Sequence, residues 1–269
     1  MNQPDSVRLV PGQTCHLMQI NTRPTDSGFD KNSANKQINK NARAMADLAR
    51  RQYAQDRHAI LLVLQGMDTS GKDGTIRTIM RGINPQSCQV TSFKVPSAEE
   101  LDHDFLWRIH RAVPRLGNIG IFNRSHYEDV LIVRVHQLVP EKVWRKRYEQ
   151  INAFEKILVE NGTTIIKCFL HISKAEQKKR LQARIDNPHE HWKFNPQDLK
   201  ERLRWDEYQA AYEDAISYCN TEHAPWHIIP SDKKWYRNLV VSNLLRCTLE
   251  KLDPQFPPAN VDFANLVVE

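Results

Sequence analysis

Apolar residues along this chain keep two rhythms, a helical spacing and short unbroken runs, and the two alternate. Over residues 36–57, Ile38, Ala42, Met45, Leu48 and Ala49 recur at helical intervals and predict an amphipathic helix. An aliphatic run at 60–64 then reads as a buried strand. The helical rhythm returns over 72–81, with Ile76, Ile79 and Ile83 on one stripe. A short strand is predicted at 89–93 and another at 118–122. Between them a helix is predicted at 98–113, where Ser97 can cap it with Glu100 three residues on. Further helices are predicted at 125–136 and at 141–160, the second stopped by Asn161-Gly162. A β-branched strand at 163–172 follows, then helices at 173–185 and 196–218, a strand at 226–229 and a helix at 235–252. Five strands separated by helices predict an α/β fold with a five-stranded parallel sheet covered on both faces. Residues 1–35, rich in Asn, Ser, Thr, Pro and Gly, read as an irregular arm, and the Pro-containing stretch after Asp253 as a loosely attached tail. The expected division is an arm and helix at 1–57, a main domain at 58–252 and a tail at 253–269.

Composition narrows the class. A chain of 269 residues suits one sizeable α/β domain, or one domain carrying an inserted lid. The net charge of +6 points to an anionic partner: nucleic acid, acidic membrane, nucleotide or another polyanion. Five widely spaced cysteines, without a Cys-x-x-Cys pair, read as free thiols in a reducing compartment, not as a disulfide framework or zinc site. The longest aliphatic run, 59–64, is too short to span a bilayer, and the first residues lack an apolar signal core. A cytoplasmic protein that does not engage membrane is expected.

The candidate chemistry begins where the first strand ends. Gly66-Met67-Asp68-Thr69-Ser70-Gly71-Lys72-Asp73-Gly74 sets two glycines around four residues, then a lysine, at the head of a helix. In that strand–loop–helix context the glycines let the backbone wrap an oxyanion, successive N–H groups point inward, and the lysine adds a point charge. Asp73 stands where the usual pattern has Ser or Thr for magnesium, so another residue, with Asp68 the candidate, must hold any metal.

A second group follows the next central strand: Asn123, Arg124, Glu128 and Asp129. In open parallel sheets sites form at the carboxyl ends of strands, so this segment should lie beside the loop. Arg124 offers a fork for phosphate oxygens, and Glu128 and Asp129 offer carboxylates of the kind magnesium takes; an Arg124–Glu128 pair on a solvated helix is the bland alternative. A basic cluster runs from Lys178-Lys179-Arg180 through Arg184 to Lys193, and could close over phosphates as a lid or simply be a solvated face. Arg77 and Arg81 follow Asp73 at four-residue steps, either as an ion-pair ladder or as a positive track for a long anion.

Together these stretches resemble the second family of polyphosphate kinases. The matching residues are Gly66 to Gly74, Phe93-Lys94-Val95-Pro96, Glu100-Leu101-Asp102-His103-Asp104-Phe105-Leu106-Trp107-Arg108 and Phe122-Asn123-Arg124-Ser125-His126-Tyr127-Glu128-Asp129-Val130. His191-Trp192-Lys193-Phe194 and Ala224-Pro225-Trp226 complete them, so the resemblance covers about 35–250. It implies a P-loop kinase-like, three-layer α/β/α fold with a helical lid, placed at about 173–205. It also implies phosphoryl transfer between inorganic polyphosphate and nucleoside mono- and diphosphates with Mg²⁺. The subgroup accepting both AMP and ADP fits the Asn123 and Glu128-Asp129 arrangement. By the same resemblance Asp68, Lys72, Arg124 and Asp129 are the expected catalytic residues, with Asp68 and Asp129 as metal ligands. Asp68 could instead orient the acceptor phosphate. Phosphate contacts are expected from Gly66, Met67, Thr69, Ser70, Gly71, Asp73, Gly74, Arg77, Arg81, Arg180, Arg184 and Lys193. An ATP-dependent nucleotide kinase of the same fold is the rival enzyme. A nucleic-acid-binding protein is the rival from another class, and without a recognised motif or Arg-rich arm no nucleic-acid partner is expected. A homo-oligomer is expected.

Overall fold

Seven consecutive buried residues, Ala59 to Gln65, form the centre of the molecule, and every other element is arranged around them. The structure is a computed structural model that describes residues 6–25 and 27–260. Its strands are β1 (Val7–Arg8), β2 (Ala59–Gln65), β3 (Cys88–Ser92), β4 (Ile119–Asn123), β5 (Thr163–His171) and β6 (Trp226–Pro230). They make one sheet in the order β1-β6-β5-β2-β4-β3. The expected five strands are parallel; the sixth, β1, pairs antiparallel with β6 at the sheet edge. The arm is therefore not irregular throughout. Val7 and Arg8 lie opposite Ile228 and His227, and a two-residue strand is too short to leave a periodic signal.

The helices are α1 (Lys31–Gln55), α2 (Lys72–Ile79), α3 (Ala98–Leu101), α4 (Trp107–His110), α5 (Ile132–Val135), α6 (Glu141–Glu160), α7 (Lys174–Asp186), α8 (Gln197–Leu203), α9 (Trp205–Tyr218) and α10 (Lys234–Leu252). Period-two alternation in β2 divides the core. Ile60, Leu62 and Leu64 pack with Met45, Ile79, Tyr236 and Val240 of α1, α2 and α10. Leu61 and Val63 pack on the opposite face with Tyr148, Ile151, Phe154 and Tyr212 of α6 and α9. This is a three-layer α/β/α sandwich. Each such aliphatic side chain contributes about 1.5–3 kcal/mol on burial, and truncating Leu62 to Ala should cost about 2–5 kcal/mol.

Local chemistry moves several boundaries. The first helix begins at Lys31 because Asp30 accepts from Ser33 N while Ser33 Oγ accepts from Asp30 N, a reciprocal cap. The helix expected over 98–113 is two single turns, since Asp104 Oδ1 captures Leu106 N at 2.9 Å and starts a new turn. The stretch 125–136 is a 3₁₀ turn, His126–Val130, followed by α5, with Leu131 (φ −103°, ψ −84°) breaking the continuity. The helix expected at 196–218 divides at Arg204 into α8 and α9. α2 ends at Ile79, so Arg81 lies past it. Past Asp253 the described tail has no helix or strand, and the Phe256 ring sits under Arg50 and Arg51; 261–269 of the expected tail and 1–5 of the arm lie outside the described residues. No helix among the described residues is long and apolar enough to cross a membrane.

Candidate active site

The loop between β2 and α2 alternates backbone handedness, with Gly66 at φ +149°, Thr69 at +62° and Gly71 at +104°. Such alternation can turn loop N–H groups toward one point, apart from Ser70 N–H, which donates to Met67 O at 3.0 Å, and α2 begins immediately at Lys72 with the free N–H groups of its first turn. Two of these positions require glycine. A Cβ on Gly66 would stand 2.8 Å from Leu170 O, and one on Gly71 only 1.9 Å from Arg237 Nη1. Lys72 folds back over the loop, donating to Gly66 O at 2.6 Å. Burial, and then the nearby Arg124, lower its ammonium to about 8, against the pull of Asp68, Glu128 and Asp73.

Amides that point inward leave carbonyls pointing outward, and these need donors. Arg180 supplies them from α7. Its Nη1 donates to Thr69 O and Ser70 O at 3.0 and 3.1 Å, its Nη2 to Ser231 O and Asp232 O, and its Nε to Glu176. All five N–H groups of this residue, expected among the phosphate contacts, are thus engaged behind the loop. Gln177 donates to Asp68 O at 3.1 Å, and Arg237 of α10 donates to Ser70 O at 2.7 Å. Sequence reasoning missed Gln177 and Arg237. Side-chain donation to a distant carbonyl leaves no local pattern.

Parallel register sets Leu64 opposite Asn123, which brings the end of β4 alongside the loop. Asn123 Nδ2 donates to Asp73 Oδ1 at 2.7 Å, a link from the end of β4 to the first turn of α2. Arg124, at φ +63°, turns over the loop and reaches Asp68 Oδ1 at 2.8 Å and Glu128 Oε2 at 3.8 Å. These carboxylates, Glu128 first, raise its already high pKa. Asp68 and Glu128 therefore share a partner, and Asp129, expected with Asp68 as a metal ligand, lies apart from them. Asp129 points at Arg147 (3.0 Å) and Arg108 (4.0 Å), and burial pushes its carboxyl up to about 6 despite them. Among the described residues no three His, Cys, Asp or Glu side chains converge as a metal cage. The two oxygens flanking Arg124 still fit magnesium, which takes one or two carboxylates with waters and substrate phosphates.

The other expected residues spread outward. Arg184 lies 3.7 Å from Asp198 of α8, whose carboxyl burial, and then Asp68, raise to about 6. Asp198 was not foreseen and faces the site from α8. Lys193 pairs with Glu190 at 3.3 Å and lies over the exposed Trp192 ring. Arg77 and Arg81 are exposed, with no ion pair among the described residues; of their two readings, the ladder to Asp73 does not form. Met67, Ser70 and Gly74 belong to the loop and first turn as expected, and the buried hydroxyls of Thr69 and Ser70 have no protein partner among the described residues.

Comparison with known proteins agrees with this architecture. The sequence profile of the family described as Polyphosphate kinase 2 (PPK2) matches residues 28–257. A protein of Meiothermus ruber named AMP/ADP-polyphosphate phosphotransferase is 55% identical over 217 residues, covering 81% of this chain and 81% of its own length. An ADP-polyphosphate phosphotransferase of Rhodopseudomonas palustris is 50% identical over 225 residues, covering 79% of this chain and 78% of its own. The crystal structure of polyphosphate kinase 2 from Arthrobacter aurescens TC1 superposes with a TM-score of 0.92 at 42% identity, over 96% of this chain and 92% of that one.

Proposed function

The chain belongs to the polyphosphate kinase 2 family, and from that premise we propose how its site transfers phosphoryl groups between inorganic polyphosphate and nucleotides. It is a polyphosphate:nucleotide phosphotransferase. AMP and ADP are the acceptors, giving ADP and ATP. The observation that carries this reading is the convergence of the amide-lined loop, Lys72 and Arg124 at the carboxyl ends of the neighbouring strands β2 and β4, with Arg124 held on Asp68 at 2.8 Å.

In the forward step an oxygen of the nucleotide's terminal phosphate attacks the terminal phosphorus of polyphosphate. The bridging P–O bond breaks, and the chain, shorter by one phosphate, leaves with the bonding electrons. Phosphoryl transfer needs little covalent participation by protein groups; positioning and charge neutralisation dominate. The amides from Gly66 to Gly74 and Lys72 hold the phosphate. Arg124 exchanges Asp68 for phosphate oxygens and neutralises them. Asp68 and Glu128 would hold Mg²⁺, and Asp129 would join them only on leaving Arg147. Mg²⁺, when bound, screens charge on the phosphate oxygens. The helices between 173 and 205 act as the lid that excludes water as a competing acceptor and contribute Arg184 and Lys193. The enzyme acts in the cytoplasm as a homo-oligomer, without nucleic acid or membrane partners.

The decisive experiment incubates the purified chain with AMP or ADP, polyphosphate and Mg²⁺ and resolves the nucleotides by chromatography. ADP and ATP should accumulate, and phosphorylation that requires ATP as donor would overturn the reading. Metal titrations refine it: Asp68→Asn and Glu128→Gln should each raise the Mg²⁺ needed for half-maximal rate about tenfold. If only Asp129→Asn does so, the ligand set is Asp129's.

A further inference from the structure

Two guanidinium groups lie behind the phosphate loop, and they are electrostatically unequal. Arg180 has a carboxylate, Glu176 Oε1, at 2.9 Å. Arg237, only 2% exposed in the first turn of α10, has no acidic partner among the described residues. Its Nη1 donates to Ser70 O at 2.7 Å, and its Nε and Nη2 donate to Asn238 Oδ1 at 3.2 and 3.0 Å. Neither acceptor depends on it. Ser70 O also accepts from Arg180 Nη1 at 3.1 Å, and Asn238 Oδ1 from Thr75 Oγ1 at 3.1 Å.

A buried cation without a counter-charge is a cost to the folded chain. Burial, and then the adjacent Arg180, disfavour its charged form. Nevertheless the loop is shaped around it. The glycine that opens α2 has φ +104°, and any Cβ there would collide with the Arg237 guanidinium at 1.9 Å. An uncharged side chain of similar length would fill the same space without the electrostatic cost. The charge must therefore serve a state in which it is neutralised, and the amides beside it are those that face the anion.

We propose that Arg237 is a positioning residue that holds half of an ion pair behind the phosphate loop, the other half arriving as the polyphosphate donor. It acts through the backbone of Ser70 and Gly71 and does not touch phosphate. The inference rests on the assignment of 66–74 to phosphate. Its consequence is a linkage: the free protein carries an unbalanced charge, and anion binding both removes that cost and draws affinity from it.

The test is thermal unfolding of the full chain at low salt, with and without inorganic tripolyphosphate, for the unsubstituted protein, Arg237→Met, Arg237→Lys and Lys72→Ala. Arg237→Met should melt at or above the unsubstituted protein when free, yet lose most of the tripolyphosphate-induced rise. Its affinity for the anion should be weaker by roughly tenfold, the scale of one unit charge acting across a part-buried site. Arg237→Lys should keep most of the rise. KM for polyphosphate should increase in Arg237→Met more than kcat falls. A free Arg237→Met protein melting several degrees lower would make Arg237 a structural support and overturn the proposal. A full ligand-induced rise in Arg237→Met, with the rise lost in Lys72→Ala, would overturn it while leaving the phosphate loop intact. No rise in the unsubstituted protein would overturn the loop assignment and this inference together.

Discussion

Lys167 and Arg237 are both cations withdrawn from water, and their surroundings are opposites. Lys167, on β5, is fully buried, with Nζ 2.6 Å from Glu155 Oε2, 2.8 Å from Tyr127 Oη and 2.6 Å from Cys219 O. Glu155 in turn accepts from Tyr127 Oη at 2.9 Å and meets His126 Nε2 at 3.1 Å. Against its burial, Lys167 and then His126 hold the Glu155 carboxyl below the ordinary carboxylate range. Every charge in that cluster is answered inside the protein. It fastens His126 and Tyr127 of the 3₁₀ turn to β5 and α6, and the same turn carries Glu128 and Asp129 just after Arg124. Among the described residues Arg237 is answered by neutral oxygens alone. A closed cluster specifies geometry, whereas an open one leaves a position for a ligand's charge, so pairing rather than burial separates scaffold from site.

The largest effect should come from opening the closed cluster. Lys167→Met strands Glu155 in the core and should destabilise the chain by about 3–5 kcal/mol, as expected when one partner of a buried pair is removed. Adding Glu155→Leu should recover most of that loss. Urea unfolding of both variants beside Arg237→Met gives the comparison directly. Equal losses for Lys167→Met and Arg237→Met would break it, since the two cations would then be equally structural.

Next in size is Lys72→Ala. It should reduce turnover by about a hundredfold or more, the scale of losing one preorganised charge at a transition state. The melting temperature should change little, because the ammonium is held by two loop carbonyls, Gly66 O and Met67 O, and by no ion pair among the described residues. Turnover close to that of the unsubstituted enzyme, in a folded variant, would remove Lys72 from the site.

The lysine also carries a pH signature. Its pKa is lowered from 10.5 to about 8, first by burial, so the folded chain releases this proton before the unfolded one does. Between those values the unfolded chain binds more protons, and this group alone makes the folded protein more stable as pH rises. Phosphate favours the ammonium, so affinity should move the other way. Calorimetric titration with tripolyphosphate should show binding weakening above about pH 8 in the unsubstituted protein. Lys72→Ala should lack that component, and a pH-independent affinity from about pH 7 to about pH 9.5 would place the lysine away from the anion.

How far the sequence discloses this molecule depends on the range of the interaction. The five parallel strands are legible because their apolar runs are continuous, and the loop is legible because two glycines and a lysine must be close in sequence to wrap one phosphate. Arg124 follows from its place at the end of β4. Other features are long-range side-chain contacts. Arg180 looks like one more lid cation until its five N–H groups are traced to carbonyls and Glu176. Glu128 and Asp129 are adjacent in sequence, and only the position of Arg147 on α6 decides which of them turns away from Arg124. The split of α3 from α4 turns on one Asp104 side chain preferring a nearby N–H to solvent.

The smallest expected effect concerns the outer arginines, and it tests how far the open region extends. Arg77 and Arg81 are exposed, without an ion pair among the described residues, and Arg81 lies two residues beyond the end of α2. Among the described residues no carboxylate answers their charge, which makes them an extension of the open cluster rather than part of the scaffold. Their distance from the loop decides who can use them. Residues rise about 1.5 Å each along a helix, so Arg81 stands roughly a helix length from Lys72, and only a chain of several phosphates reaches both. Arg81→Ala should therefore raise KM for long polyphosphate about twofold to threefold, the modest value of an exposed ion contact. KM for the nucleotide should stay constant. Salt should magnify the difference, because a long polyanion displaces many counterions along a basic track and a nucleotide few, an argument made for nucleic acids that holds for any densely charged chain. Measuring both constants at two ionic strengths checks it. Equal salt slopes for donor and acceptor, with no donor effect of Arg81→Ala, would end the track at the loop, with Lys72 and Arg124 the last cations the donor meets.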